Sequence, residues 1–219
     1  DILSNYCKKH KIKVLITAHN LEDQVETFLI RLSRGSGLKG LSSMRTLSKI
    51  HNQVKLYRPL LEVKKTFLIK ISKSVFGTYF KDPSNNNQKF LRTKVRNLKK
   101  ILENSGIKYE QIFKSIQNLA LSKSTLDSYF NKIFKDLIKK KENKIEINFK
   151  KYTELKTDTK IALINEAIKR LKKNYYDLRS KKVVNLIINL NKRGFRKSCL
   201  GGCIFFKKGE NLCLKIENH

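Results

Sequence analysis

Acidic residues are scarce in this chain: 18 Asp and Glu stand against 49 Lys and Arg among 219 residues, a formal charge of +31. An imbalance of this size repels itself unless a polyanion is near, and it favours nucleic acid through counterion release. Drift toward AT-rich codons inflates Lys, Asn and Ile, but it does not require so few acids. Apolar runs are short, none approaching the roughly 18 residues of a membrane-spanning helix, so no membrane partner is expected. Hydrophobic residues still make up 40%, with a mean hydropathy of −0.47, enough for a buried core. Two prolines exclude a rigid proline-rich linker. The four cysteines, Cys7, Cys199, Cys203 and Cys213, form no C-x-x-C pair. Gly201 and Gly202 lie between Cys199 and Cys203 and no His follows nearby, which argues against zinc and for reduced thiols in a cytoplasmic protein. A Walker G-x-x-x-x-G-K-[ST] loop is absent. The opening Asp1-Ile2-Leu3-Ser4-Asn5 has no basic region, no long apolar core and no initiator Met. It is therefore not read as a signal peptide, and the chain is expected to be a fragment.

Lys13-Val14-Leu15-Ile16-Thr17-Ala18 is a continuous apolar run, which predicts a strand buried on both faces, as in a parallel sheet. Residues 2–10 before it read as the end of a helix. Asn20 can cap the next helix, and Asp23 suits its positive end. Val25, Phe28, Leu29 and Leu32 recur at helical spacing and mark its buried face, and Gly35 and Gly37 end it. Val54–Arg58 alternates as a strand closed by Pro59, and a helix is predicted over about 63–77 with Phe67, Leu68, Ile71 and Val75 on one side. Asp82-Pro83-Ser84-Asn85-Asn86-Asn87 is a loop signal, followed by a basic helix over 90–103. Asn104-Ser105-Gly106 marks a boundary between residues 1–104 and 105–219. Beyond it come a long helical pattern to about 141, a strand near 144–150, helices near 158–174 and 180–192, and a hairpin over 203–217 around Lys208-Gly209-Glu210-Asn211.

His19 ends the first strand. Asp23 and Glu26, three apart, share one helix face opposite the Phe28 and Leu32 stripe. A histidine with two carboxylates can bind Mg²⁺ through oxygen, orient an amine or move a proton. It can equally be a solvated helix start with an incidental His. Arg34-Gly35-Ser36-Gly37-Leu38-Lys39-Gly40 is a glycine-rich turn that could offer backbone N–H groups to phosphate, although a helix end explains the glycines as well. Arg92 and Arg96, four apart on the basic helix, suit phosphate; a solvated basic face is the plainer alternative.

Taken together, five segments in order resemble the tRNA(Ile)-lysidine synthetase family of PP-loop ATP pyrophosphatases. They are His19-x-x-x-Asp23-Gln24-x-Glu26-Thr27, then Arg34-Gly35-Ser36-Gly37-x-x-Gly40-Leu41 running to Met44, then Arg58-Pro59-Leu60-Leu61. Asp82-Pro83-Ser84-Asn85 with Arg92-x-x-x-Arg96 follows, and Leu200-Gly201-Gly202-Cys203 comes last. The resemblance implies an α/β fold: a partial PP-loop parallel sheet with helices (1–104), then a tRNA-contacting helical region and small α/β domain (105–219). It implies ATP and Mg²⁺ as cofactors, with free L-lysine and tRNA(Ile) with a CAU anticodon as partners, and leaves a homodimer open. Its reaction adenylates the 2-oxygen of the wobble cytidine, releasing pyrophosphate; the lysine amine then displaces AMP. By this resemblance His19, Asp23 and Glu26 are expected at the catalytic site. Arg34, Gly35, Ser36, Gly37, Arg92 and Arg96 are expected to bind substrate or phosphate.

Two departures stand out. Family members commonly carry Asp-Asp before Gln, where this chain has Glu22-Asp23. The family's Ser-Gly-Gly-x-Asp-Ser signature does not occur in these residues. The expectation is therefore a protein without its first ~100 residues, or one piece of a split enzyme, in line with ordinary domain sizes. Alone it is expected to bind ATP poorly, to be inactive, and to aggregate through bare sheet faces. The other readings are a thiolating PP-loop tRNA enzyme and an inactive basic tRNA-binding module.

Overall fold

The computed structural model describes residues 2–50, 54–80, 82–83, 87–172, 178 and 180–217. Ser84, Asn85 and Asn86 of the expected 82–87 loop lie outside the described residues. The chain divides into two compact units, Asp1–Ser124 and Thr125–His219.

In the first unit, helix α1 (Ile2–Lys9) leads into strand β1 (Val14–Ile16), helix α2 (Leu21–Leu32) and the short helix α3 (Leu38–Leu41). Strands β2 (Leu47–Lys49) and β3 (Lys55–Tyr57) follow, then helices α4 (Lys65–Phe76), α5 (Leu91–Asn104) and the first part of α6 (Tyr109–Leu137), whose remainder belongs to the second unit. The sheet order is β1-β3-β2, with β3 parallel to β1 and antiparallel to β2. A parallel pair needs a crossover between its strands, and α2 and the glycine-rich turn are carried in that connection. The local grammar of α2 is strong. The Asn20 side chain accepts from the Asp23 amide, and Asp23 accepts from the Asn20 amide, both at 3.0 Å. This is a reciprocal capping box with Asp in the third position.

The core of this unit joins Leu21 and Val25 of α2 to Tyr109, Phe113 and Ile116 of α6. The start of α6 is apolar toward α2, and the first unit runs to Ser124. The Val14–Ile16 run is not covered on both faces: Val14 is 43% and Ile16 62% exposed. Among the described strands β1 pairs with β3 alone, so its other edge is unpartnered. On α4 the expected apolar stripe is present, but Phe67, Ile71 and Val75 are exposed. Gly77 ends α4 in the left-handed region at φ 71°, which a side chain adopts only with strain.

In the second unit, β4 (Ile138–Lys141), β5 (Lys144–Asn148), helices α7 (Phe149–Glu154), α8 (Thr157–Leu171) and α9 (Ser180–Leu190), and strands β6 (Lys197–Leu200), β7 (Cys203–Lys208) and β8 (Asn211–Ile216) follow in order. The sheet runs β4-β5-β8-β7-β6, antiparallel throughout. The β7–β8 hairpin closes over Gly209-Glu210, with Gly209 at φ 57°, where a two-residue turn calls for glycine. Ile145, Ile147, Phe205, Leu212 and Leu214 point to one side of the sheet and pack with Leu163, Ile164 and Ile168 of α8 and Val183, Leu186 and Leu190 of α9. β4 and β6 were not apparent in the sequence. The architecture as a whole is α/β, a sheet-and-helix unit followed by a helical stretch and a small sheet domain.

Leu163 is fully buried in this second core. Leu163→Ala should destabilise the chain by about 3 kcal/mol through lost contacts and a residual cavity, read as a lower urea midpoint by far-UV circular dichroism. A change below about 0.5 kcal/mol, the level of surface substitutions, would contradict this packing.

Candidate active site

The capping box places Asp23 and Glu26 at the beginning of α2, one turn apart. Their carboxylates meet the guanidinium groups of α5. Arg92 donates from Nη2 to Asp23 Oδ1 at 2.6 Å and from Nε to Glu26 Oε2 at 2.8 Å. Arg96 donates from Nε to Glu26 Oε1 at 2.7 Å and from Nη2 to Oε2 at 3.1 Å. Glu26 is thus shared by two arginines. Its side chain is 3% exposed, while those of Arg92 and Arg96 are 42% and 31% exposed. A carboxylate buried to this degree is tolerated only when paired and hydrogen-bonded. The helical spacing of Arg92 and Arg96 supplies both partners from one face.

Glu22, the residue at the departure from the family's Asp-Asp, accepts the Lys65 amide at 2.8 Å, while Lys99 Nζ lies 3.4 Å from its other oxygen. α4 has no side-chain cap of its own. Glu22 therefore caps α4 from the start of α2, where a carboxylate also meets the positive helix end.

His19 lies beyond the end of β1, half-buried, with Nδ1 2.8 Å from Thr17 Oγ1. Burial is the largest influence on it and lowers its pKa below 6.5; Asp23 opposes this, and Arg58 and Arg92 add to it. The structure therefore brings His19, Asp23, Glu26, Arg92 and Arg96 into one neighbourhood.

The glycine-rich turn behaves differently. The amides of Arg34, Gly35 and Ser36 donate to the carbonyls of Arg31 and Leu32, so they end α2 and do not face an anion. The backbone of this segment serves as a helix terminus, the alternative that the sequence left open, and Arg34, Gly35 and Gly37 are exposed. The residue that grips the turn is Arg31, whose Nη1 donates to Gly40 O at 2.7 Å and Ser43 O at 3.0 Å. Gln24 exchanges two hydrogen bonds with the Met44 backbone, at 2.8 and 2.9 Å. Neither role was read from the sequence; Gln24 sits inside the quoted motif, and that was the available signal. Arg58 Nη1 donates to Arg45 O and Ser48 Oγ, and its Nε is buried without a hydrogen-bond partner.

The donor set does not suit a resident Mg²⁺. Asp23 and Glu26 have guanidinium partners, and among the described residues no group of three His, Cys, Asp or Glu side chains could hold a metal ion.

Two measurements test this arrangement. Glu26→Gln should cost about 2 kcal/mol of stability, below the 3–5 typical of breaking a fully buried ion pair because the arginines are partly exposed. An unchanged urea midpoint would contradict the shared-carboxylate geometry. In an NMR titration His19 should reach its midpoint below 6.5, lower still in Asp23→Asn and higher in Arg92→Gln. With the folded pKa depressed, its contribution to stability is present above 6.5 and is lost as pH falls through the folded pKa. An Arg92→Gln midpoint that moves down would have the wrong sign.

Residues 1–102 match the PP-loop domain family. The chain is 31% identical over 219 residues to the tRNA(Ile)-lysidine synthase of Wolbachia pipientis wMel, a match covering 99% of this chain and 51% of that protein. It is also 31% identical to the synthase of the Wolbachia of Brugia malayi, over 220 residues, all of this chain and 51% of that protein. With the synthase of Orientia tsutsugamushi it shares 46% identity over 99 residues, 45% of this chain and 22% of that protein. The chain spans about half the length of the curated Wolbachia relatives it matches. Through residues 1–102 the chain carries a PP-loop domain, and its similarity to the two Wolbachia synthases runs over the whole of this chain and about half of each of them.

Proposed function

We propose that this protein takes part in the ATP-dependent ligation of free L-lysine to the wobble cytidine of tRNA(Ile) with a CAU anticodon. The observation that carries the reading is the pairing of Asp23 and Glu26 with Arg92 and Arg96 beside His19, inside the matched PP-loop domain. In the first step the 2-oxygen of cytosine attacks the α-phosphorus of ATP and pyrophosphate leaves. In the second, the lysine amine attacks C2, the C2–O bond breaks, AMP leaves with that oxygen, and the amine loses a proton.

The geometry supports the following roles within this scheme. Two carboxylates balanced by two guanidiniums make a nearly neutral cluster, so Asp23 and Glu26 are better suited to orienting the arginines than to drawing in the lysine ammonium. Arg92 is held by Nε and Nη2, and its Nη1 edge, engaged by neither carboxylate, can meet the phosphate of the adenylated intermediate. A histidine with a lowered pKa is neutral near pH 7 and can take the proton from the attacking amine. The segment 105–219 is the tRNA-contacting part in this reading, and its lysines meet phosphate more than bases. Cysteine placement does not support thiolation: none of the four is in a disulfide, Cys7, Cys203 and Cys213 are buried, and Cys199 is exposed.

The test joins the chain to a family Ser-Gly-Gly-x-Asp-Ser segment and follows radiolabelled lysine into a tRNA(Ile) transcript. Incorporation should require ATP. Asp23→Asn should slow it about 100-fold, the scale of losing one organised electrostatic contact, with tRNA affinity changed less than about 2-fold because few phosphate contacts are touched. Retained ligation in Asp23→Asn would remove that residue from the mechanism. Sulfur incorporation without lysine, or no incorporation by the joined wild-type protein, would overturn the reading.

A further inference from the structure

The five-stranded sheet of the second unit has two chemically different faces. One is the apolar face that packs under α8 and α9. The strand register defines the other. Directly opposed residues share a face, so Lys139, Glu146, Cys213, Phe206 and Lys197 form one row across all five strands. Lys141, Lys144, Lys215, Ile204 and Cys199 form the next row, and Asn148, Asn211 and Lys208 the third. Lys139, Lys141, Lys197, Lys208 and Lys215 are exposed, and Lys144, Ile204 and Phe206 are half-buried.

Lys141, Lys144 and Lys215 stand directly opposite one another on three neighbouring strands. Like charges in that position destabilise a sheet. Glu146 answers part of the repulsion, with Lys144 at 2.7 Å and Lys141 at 2.9 Å. Glu217 bonds the Cys199 thiol at the β6 margin. Six lysines against two acids leave a strongly positive surface around Phe206 and Ile204. A fold gains nothing from such an arrangement by itself. A polyanion whose phosphates replace the counterions would gain from it, and an aromatic ring at the centre gives a base a stacking surface.

We propose that this outer sheet face is an RNA-binding platform, with Lys139, Lys141, Lys197, Lys208 and Lys215 meeting phosphates and Phe206 meeting a base. The proposal rests on the tRNA reading above for the identity of the RNA and on the register for its location. The charge complementarity selects RNA, and with strands about 4.8 Å apart Lys139, Lys141 and Lys197 on the two edge strands and Lys208 and Lys215 between them spread phosphate contacts across the whole sheet.

The full chain is titrated with a CAU-anticodon tRNA(Ile) transcript at several salt concentrations. The double variant Lys197→Glu/Lys215→Glu should bind at least 10-fold more weakly, with a log–log salt slope reduced by about two, one per contact removed. The control Lys181→Glu/Lys182→Glu on α9, on the opposite side of the sheet, should change affinity less than about 2-fold, losing no phosphate contact. The chain contains no tryptophan, so Phe206→Trp installs a single reporter whose emission RNA should quench. Circular dichroism confirms that each variant is folded. Equal losses in the two double variants, or no quenching on binding, would overturn the platform while leaving the tRNA reading intact. Binding of poly(U) through this face with no binding of tRNA would keep the platform and overturn the tRNA reading.

Discussion

The first unit depends on one buried carboxylate. Glu26 is buried and its oxygens need hydrogen-bond donors, which two guanidiniums one helical turn apart on α5 supply. Because Arg92 also reaches Asp23, the start of α2 is fixed to α5 at two points. Glu22 carries the same logic to α4 by capping its first amide. Three acids within five residues of α2 thereby organise α4 and α5. The scarcity of acids in the chain makes this concentration informative.

The second unit solves a different problem. Its strands must bury one side under α8 and α9 while tolerating a dense population of lysine. Alternation sorts the residues: Ile145, Ile147, Leu212 and Leu214 inward, Lys144, Glu146 and Lys215 outward. Six of the chain's lysines are thus collected on one sheet face by the two-residue period of a strand.

What could be read from the sequence was local. The Asn20 cap, α2, the Gly77 stop and the β7–β8 hairpin each depend on residues within a few positions of one another. The family motif also placed His19, Asp23 and Glu26 together, because two helical turns and a strand end fix them. The partners of Glu26 were not legible, since hydrogen bonds between residues 66 and 70 positions apart leave no periodic trace. Arg92 and Arg96 were read as facing phosphate, and their pairing with acids became visible only in three dimensions. The strands Leu47–Lys49, Ile138–Lys141 and Lys197–Leu200 carry little apolar alternation; they are strands because a neighbour supplies the ladder. The Val14–Ile16 run looked buried on both sides because hydrophobicity records a tendency, while coverage depends on what lies alongside.

The long separation between Glu26 and its arginines bears on how the protein is made. During synthesis Glu26 is added to the chain 66 and 70 codons before Arg92 and Arg96. Until then the carboxylate has no guanidinium to receive it and must stay in water. The nascent segment is consequently unable to bury that side of α2, and a pause in translation inside this window would hold the chain in an open, charged state.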